Sequence, residues 1–249
     1  MLAAARFQVA LQGAADTPSA WQAVVAAFED LLAQGPDDPN RLRNLALAEK
    51  YLGSWYDSHR PRPDALPHYR RAMELDARRV SLGPEDRQAR MDLAIDQSNV
   101  AGILQITDVP GSIAMYEQSV ATRRHLAETD PRDVFAAGRL GAALWRLGHV
   151  YSVAGRPQDA MVVSEEATRV LNRALVERHD VPIMVDLAVS EYHLGEIYET
   201  LHRSTAACAA WRRVEQRLPQ IASAAPISDL LALRRNLPAR LAACAQTSR

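Results

Sequence analysis

The chain has 249 residues, 48% of them hydrophobic and 24% charged, with 11 glycines, which is enough apolar material for a continuous core and argues against disorder. Its 29 Lys and Arg residues nearly balance 30 Asp and Glu, so no overall field draws it to nucleic acid or to an anionic membrane surface. Two cysteines outside any CxxC motif exclude a disulfide-rich scaffold and a zinc module.

The opening stretch, residues 1–21, carries Arg6 and Gln8 within its apolar part and has no basic leader, so it makes a poor secretory signal. No stretch reaches the roughly 18 to 20 uninterrupted apolar residues of a membrane helix, and membrane insertion is not expected. Lys50 is the single lysine and alanine is abundant, a pattern of GC-rich bacterial coding.

In chain order, Ala20, Trp21, Val24 and Ala27 form a short amphipathic element, which reads as the second half of an incomplete leading unit, residues 1–36. A pattern of Leu, a small residue, five others, Leu or Val, and Gly or Ala then recurs four times. It runs from Leu45-Ala46 to Leu52-Gly53, Leu93-Ala94 to Val100-Ala101, Leu140-Gly141 to Leu147-Gly148, and Leu187-Ala188 to Leu194-Gly195, with a period of about 47 residues. A second element follows each, led by Ala65, Ser112, Ala160 and Ala207 and usually carrying an aromatic at helical spacing: Tyr69, Tyr116 and Trp211.

Turn signals separate the two elements at His59 to Pro63, Thr107 to Gly111, Gly155 to Pro157 and His202 to Ser204. Each unit opens on an acidic or proline-bearing joint, Asp38-Pro39-Asn40, Gly83 to Asp86, Asp130-Pro131-Arg132 and Asp180-Val181-Pro182, residues suited to a helix N-terminus. The pattern predicts one domain over 1–249, with helical hairpins at 37–83, 84–130, 131–179 and 180–220 and a capping helix at 227–246. Small residues at the Leu-Gly step let paired helices approach closely, and neither helix can bury its face alone, so the hairpins must stack.

The Leu-Gly, Ala, Tyr and Ala positions resemble the tetratricopeptide (TPR) signature, with longer helices than the usual 34-residue repeat. The resemblance implies an all-α, TPR-like α-solenoid, a right-handed superhelix of antiparallel hairpins. The phrases LAEKYLGSWYD, LGHVYSVAGRPQDAM and LGEIYE, with the closing LPARLAACAQ, further resemble the TPR tails of bacterial eukaryotic-like serine/threonine kinases. That likeness implies a regulatory or sensory role and attachment to a kinase domain in a longer parent. The isolated chain is expected in the cytoplasm, or outside it if it is the tail of a membrane-spanning kinase.

No kinase motif is present, since GxGxxG, HRD and DFG are all missing, and neither a GK pair, HExxH nor GxSxG occurs. The seven histidines lack metal-ligand spacing, and Glu191, Glu196 and Glu199 have no nucleophile beside them. We therefore expect no enzyme activity, no cofactor and no metal, and a protein or peptide as the partner. Arg70-Arg71 and Arg212-Arg213 read as a wet outer face.

By analogy with the repeat family, the first helix of each hairpin lines a concave groove. Counting from the Leu-Gly step places Lys50, Ser54, Asp57, Ser98, Gln105, Trp145, His149, Tyr192, Glu196 and Glu199 on it. A clamp for a C-terminal carboxylate repeats Lys and Asn along the groove, and Lys50 has no such companions. Trp145 and Tyr192 fall in neighbouring repeats. As exposed anchors for a peptide they could be removed with little loss of stability; the competing and preferred reading packs both between first helices. Cys208 and Cys244 lie nearly symmetrically about Pro226, so antiparallel packing of the last hairpin helix on the cap could bridge them, although two buried free thiols are preferred.

Overall fold

The computed structural model describes residues 7, 18–59, 62–222, 224 and 227–247. Most of the opening stretch, Arg60 and Pro61 of the first turn, and Pro226 lie outside the described residues. Among the described residues the secondary structure is helical, with ten α-helices and no strand. They are α1 (Pro18–Ala33), α2 (Pro39–Ser58), α3 (Leu66–Leu82), α4 (Arg87–Leu104), α5 (Val109–Thr129), α6 (Val134–Val153), α7 (Pro157–Glu177), α8 (Val181–Thr200), α9 (Ser204–Arg217) and α10 (Ser228–Thr247).

Aspartates start the first helix of each hairpin. Asp38, Asp86, Asp133 and Asp180 accept hydrogen bonds from free amides at the starts of α2, α4, α6 and α8, which satisfies donors that have no partner within the helix. At the third joint the cap is Asp133; Asp130 instead accepts from the Arg132 amide, holding the turn before it.

The chain divides into two compact units, Met1–Thr122 and Arg123–Arg249, with the boundary inside α5. In the first unit α1 packs on α2, α2 on α3 and α3 on α4. Trp21 of α1 stacks on Tyr51 of α2 at 4.8 Å, and fully buried Leu42, Leu45 and Leu52 fill the space behind them. The start of α5 is tied to α4 by Ser112, whose hydroxyl donates to the Ala101 carbonyl at 2.8 Å, and by Ser119, which donates to the Ala94 carbonyl.

In the second unit α6 packs against α7 and α8, α8 against α9, and α10 against both α8 and α9. The small residues of the Leu-Gly step do the work expected of them. A Cβ on Gly141 would strike Leu171, one on Gly148 would strike Ser164, and one on Gly195 would strike the Trp211 indole. Gly53 plays the same part in the first unit, where an added Cβ would lie 2.8 Å from the Tyr69 ring. The architecture is an all-α, TPR-like fold of helical hairpins.

One expectation is overturned. Cys208 on α9 and Cys244 on α10 are joined by a disulfide, with Cα atoms 5.7 Å apart, and neither is a free thiol. The antiparallel packing of the cap on the last hairpin decides this, because it sets the two Cβ vectors face to face.

Candidate functional site

In the first unit the sequence-derived groove residues divide by role. Lys50 is largely buried, and its Nζ lies 2.8 Å from Asp76 Oδ2 on α3 and 3.2 Å from Asp96 Oδ1 on α4. Arg79 joins the same cluster, pairing with Asp76 and, at 2.8 Å, with Asp92. Burial disfavours the Lys50 charge, but Asp96 and Asp76 outweigh it and raise its pKa. Burial drives the Asp96 carboxyl up to about 9, against the pull of Lys50 and with the help of neighbouring Asp76. Lys50 is thereby consumed in holding three helices together and is not offered to a ligand. Ser98 is likewise internal, hydrogen-bonded to the Ala94 carbonyl and, at 2.8 Å, to Ser119 of α5. Ser54 is exposed and Asp57 half-buried on α2, while half-buried Gln105 ends α4.

The second unit draws its candidates together. Trp145 on α6 and Tyr192 on α8 are each 4% exposed, so the preferred reading of packed residues holds over that of exposed anchors, and the two form a floor. Trp145 donates its indole N–H to Asp186 at 3.0 Å, and Arg146 lies over its ring. Above this floor His193 stacks near Trp145, with ring centroids 5.8 Å apart, and faces His149 at 4.8 Å. His149, Ser152, Val153, His193, Glu196 and Ile197 line a cleft of about 230 Å3 between α6 and α8.

The electrostatics follow from crowding. Burial lowers the His149 pKa and His193 lowers it further, against the pull of Asp229 and Glu196, so the imidazole stays neutral near pH 7. Glu196 is held below the usual carboxylate range: burial opposes its charge, but His193, at 3.0 Å, and Arg240 favour it more strongly. Burial raises the Tyr192 pKa, with Glu196 adding to the shift. Glu199 is exposed on α8 yet engaged, since Arg240 of α10 reaches it at 2.6 Å and Glu196 at 3.2 Å. Glu191, about two turns earlier, is buried and held by Arg213 and Arg217; Arg213 is half-exposed, so it ties α9 to α8 while part of its side chain stays at the surface beside exposed Arg212.

Sequence reasoning overlooked His193, Asp186 and Arg240. His193 directly follows Tyr192, and Arg146 holds the equivalent place after Trp145, so testing the neighbours of aligned positions would have found it. Arg240 gives no such signal, because the cap stands outside the repeat. A larger cleft of about 410 Å3 opens over Ala137 and Leu140, with Arg124 of α5 fork-bonded to Glu166 of α7 at its side. No group of His, Cys, Asp or Glu among the described residues is arranged to hold a metal, and no described helix is long and apolar enough to cross a membrane.

Comparison with known proteins returns structural likeness alone. No family model matches, and no curated protein matches by sequence. Among solved structures, the chain is similar to the apo form of RapI at 11% identity, covering 98% of this chain and 84% of that one with a TM-score of 0.59. It is also similar to BtubC (BKLC) from P. vanneervenii at 17% identity, covering 90% and 91% with a TM-score of 0.55. MamA aligns at 14% identity over 89% of this chain and 92% of that one, with a TM-score of 0.51. Identities this low speak to the fold.

Proposed function

We propose that the chain is a protein- or peptide-binding scaffold that works through the first-helix face of its hairpins, without chemistry of its own. The observation that carries this reading is the cleft between α6 and α8, where half-buried polar side chains, His149, His193 and Glu196, stand over an aromatic floor. A rigid apolar base with a few placed polar groups is the composition that recognises a peptide. The candidate groove is accordingly His149, Glu196 and Glu199 on the floor of Trp145 and Tyr192; Ser54, Asp57 and Gln105 remain candidates on the first unit, while Lys50 and Ser98 serve packing.

The phrases that resemble kinase tails support a second reading, a regulatory or sensory role in signalling. Reading the host gene sequence on either side of this chain for a kinase domain tests it, and finding none there removes it. For the groove itself, the decisive comparison uses a partner captured by wild type and re-measured against His149→Ala and Ser152→Arg, with outer-face Arg169→Ala as control. Loss of affinity in the first two, with folding and the control intact, supports the reading; equal affinity in all three removes it. Trp145 and Tyr192 are poor test sites, because truncating either opens the core.

A further inference from the structure

The cap helix α10 is two segments with different supports. Ahead of Pro238, Leu230, Leu233 and Leu237 are fully or almost fully buried, and Arg234 donates to the Ile221 carbonyl at 2.8 Å. Pro238 lies inside the helix and removes one hydrogen bond from its ladder. Past it, among the described residues, Cys244 is the single buried side chain, and its partner is Cys208. The bridge is thus the one fully buried anchor of this segment among the described residues, beside half-buried Leu241 and polar contacts at its surface.

Those contacts belong to Arg240. Its guanidinium lies over the Trp211 ring at 5.2 Å and bonds to both Glu196 and Glu199. Two carboxylates and an indole face form a receptor for a guanidinium, and here the chain fills it from its own cap.

We propose that residues 239–247 are a redox-released cover: a dithiol reductant opens the Cys208–Cys244 bridge, the segment leaves α8, and Glu196, Glu199 and Trp211 then accept an arginine of a partner protein. Cys208 is half-buried, which leaves the bridge open to attack from that side. One thiolate of the reductant attacks the Cys208 sulfur and expels Cys244 as thiolate; the second thiol closes on the mixed disulfide and releases Cys208. Two electrons and two protons pass from the dithiol, which ends as a disulfide, to the two cysteines. The proposal rests on the scaffold reading only for what the uncovered site is used for.

The test compares the oxidised full chain with the chain reduced by dithiothreitol. Hydrogen exchange in 239–247 is expected to accelerate about 100-fold while 228–237 keeps its protection. Blocked hexa-arginine, followed by fluorescence anisotropy, is expected to bind the reduced chain about 10-fold more tightly, with the gain lost in the Glu196→Gln, Glu199→Gln double variant. Unchanged protection of 239–247 after reduction overturns the cover. A gain in affinity that is absent, or that survives the double variant, overturns the receptor. Should reduction melt the whole second unit, Arg240→Ala with the bridge intact decides the matter: it must bind hexa-arginine more tightly than wild type, and equal binding refutes the site. The exchange measurement involves no partner, so its failure is separate from any failure of the groove reading.

Discussion

At the scale of single residues, Asp96 shows how a buried charge cluster makes stability depend on pH. Asp96 is fully buried beside Lys50 and Asp76, and burial above all, with Asp76 adding to it against the pull of Lys50, keeps its proton on. Its folded pKa, up to about 9, lies above the unfolded value of about 3.9. The contribution is therefore complete below the unfolded value and is lost as pH rises toward the folded one, because the unfolded chain releases a proton that the folded chain retains. Thermal melts of wild type and Asp96→Asn at about pH 5 and about pH 8.5 check the sign. Wild type should lose more of its melting temperature on the alkaline step than the variant, whose amide stands in for the protonated carboxyl. Parallel behaviour would show that Asp96 is ionised in the fold.

Gly195 is the second such residue. An added methyl collides with the Trp211 indole, which is itself fixed by a hydrogen bond to the Tyr192 carbonyl at 3.2 Å. Helix propensity gains at most about 1 kcal/mol on going from Gly to Ala. Overpacking costs about 1 to 3 kcal/mol, so Gly195→Ala should destabilise, and its urea midpoint should fall. A raised midpoint would mean that Trp211 can move aside freely.

At the scale of elements, the turns inside the last two hairpins are built alike from different residues. After α6, Gly155 has φ +70° and the Arg156 amide reaches back to the Tyr151 carbonyl; after α8, His202 has φ 58° and the Arg203 amide reaches back to the Tyr198 carbonyl. The left-handed conformation is free to glycine and costs another residue roughly 1 to 2 kcal/mol. His202→Gly should accordingly stabilise the second unit by about 1 kcal/mol, read as a higher urea midpoint with an unchanged slope. That Gly155 and His202 head matching turns was legible from the period of about 47; that histidine does a glycine's task there was not, because only the backbone angle shows it. The aspartate caps were more legible, since an acidic residue ahead of each apolar run is a signal in itself; the third was misplaced by three residues because Asp130-Pro131 offered an equally good local start.

At the scale of the whole molecule, helical hairpins that contact mainly their neighbours distribute stability locally. Leu45 is fully buried in the first unit, and Leu45→Ala should cost about 2 to 5 kcal/mol at that site. Hydrogen exchange in that variant should accelerate in α1 to α3 and leave α8 to α10 close to wild type. Uniform acceleration along the chain would show that the two units unfold as one.

The hairpins themselves were readable because their signals are local and repeated: the Leu-Gly step, the aromatic opposite it, and the punctuation between them recur at a fixed period of about 47 residues. The use of each polar residue was not readable, since it depends on which side chains from other elements arrive beside it. Lys50 looked like a ligand contact until Asp76 and Asp96 closed on it from α3 and α4, and whether Trp145 and Tyr192 are packed or exposed, on which the sequence leaned toward packing, is decided by their burial. Cys208 and Cys244 are bridged, and Glu196 and Glu199 occupied, because the cap helix folds back antiparallel on α8 and α9. Periodicity determines which faces are apolar and hence the class of fold; long-range packing, which brings charges and thiols from distant segments within a few ångströms, decides which polar groups are left for a partner.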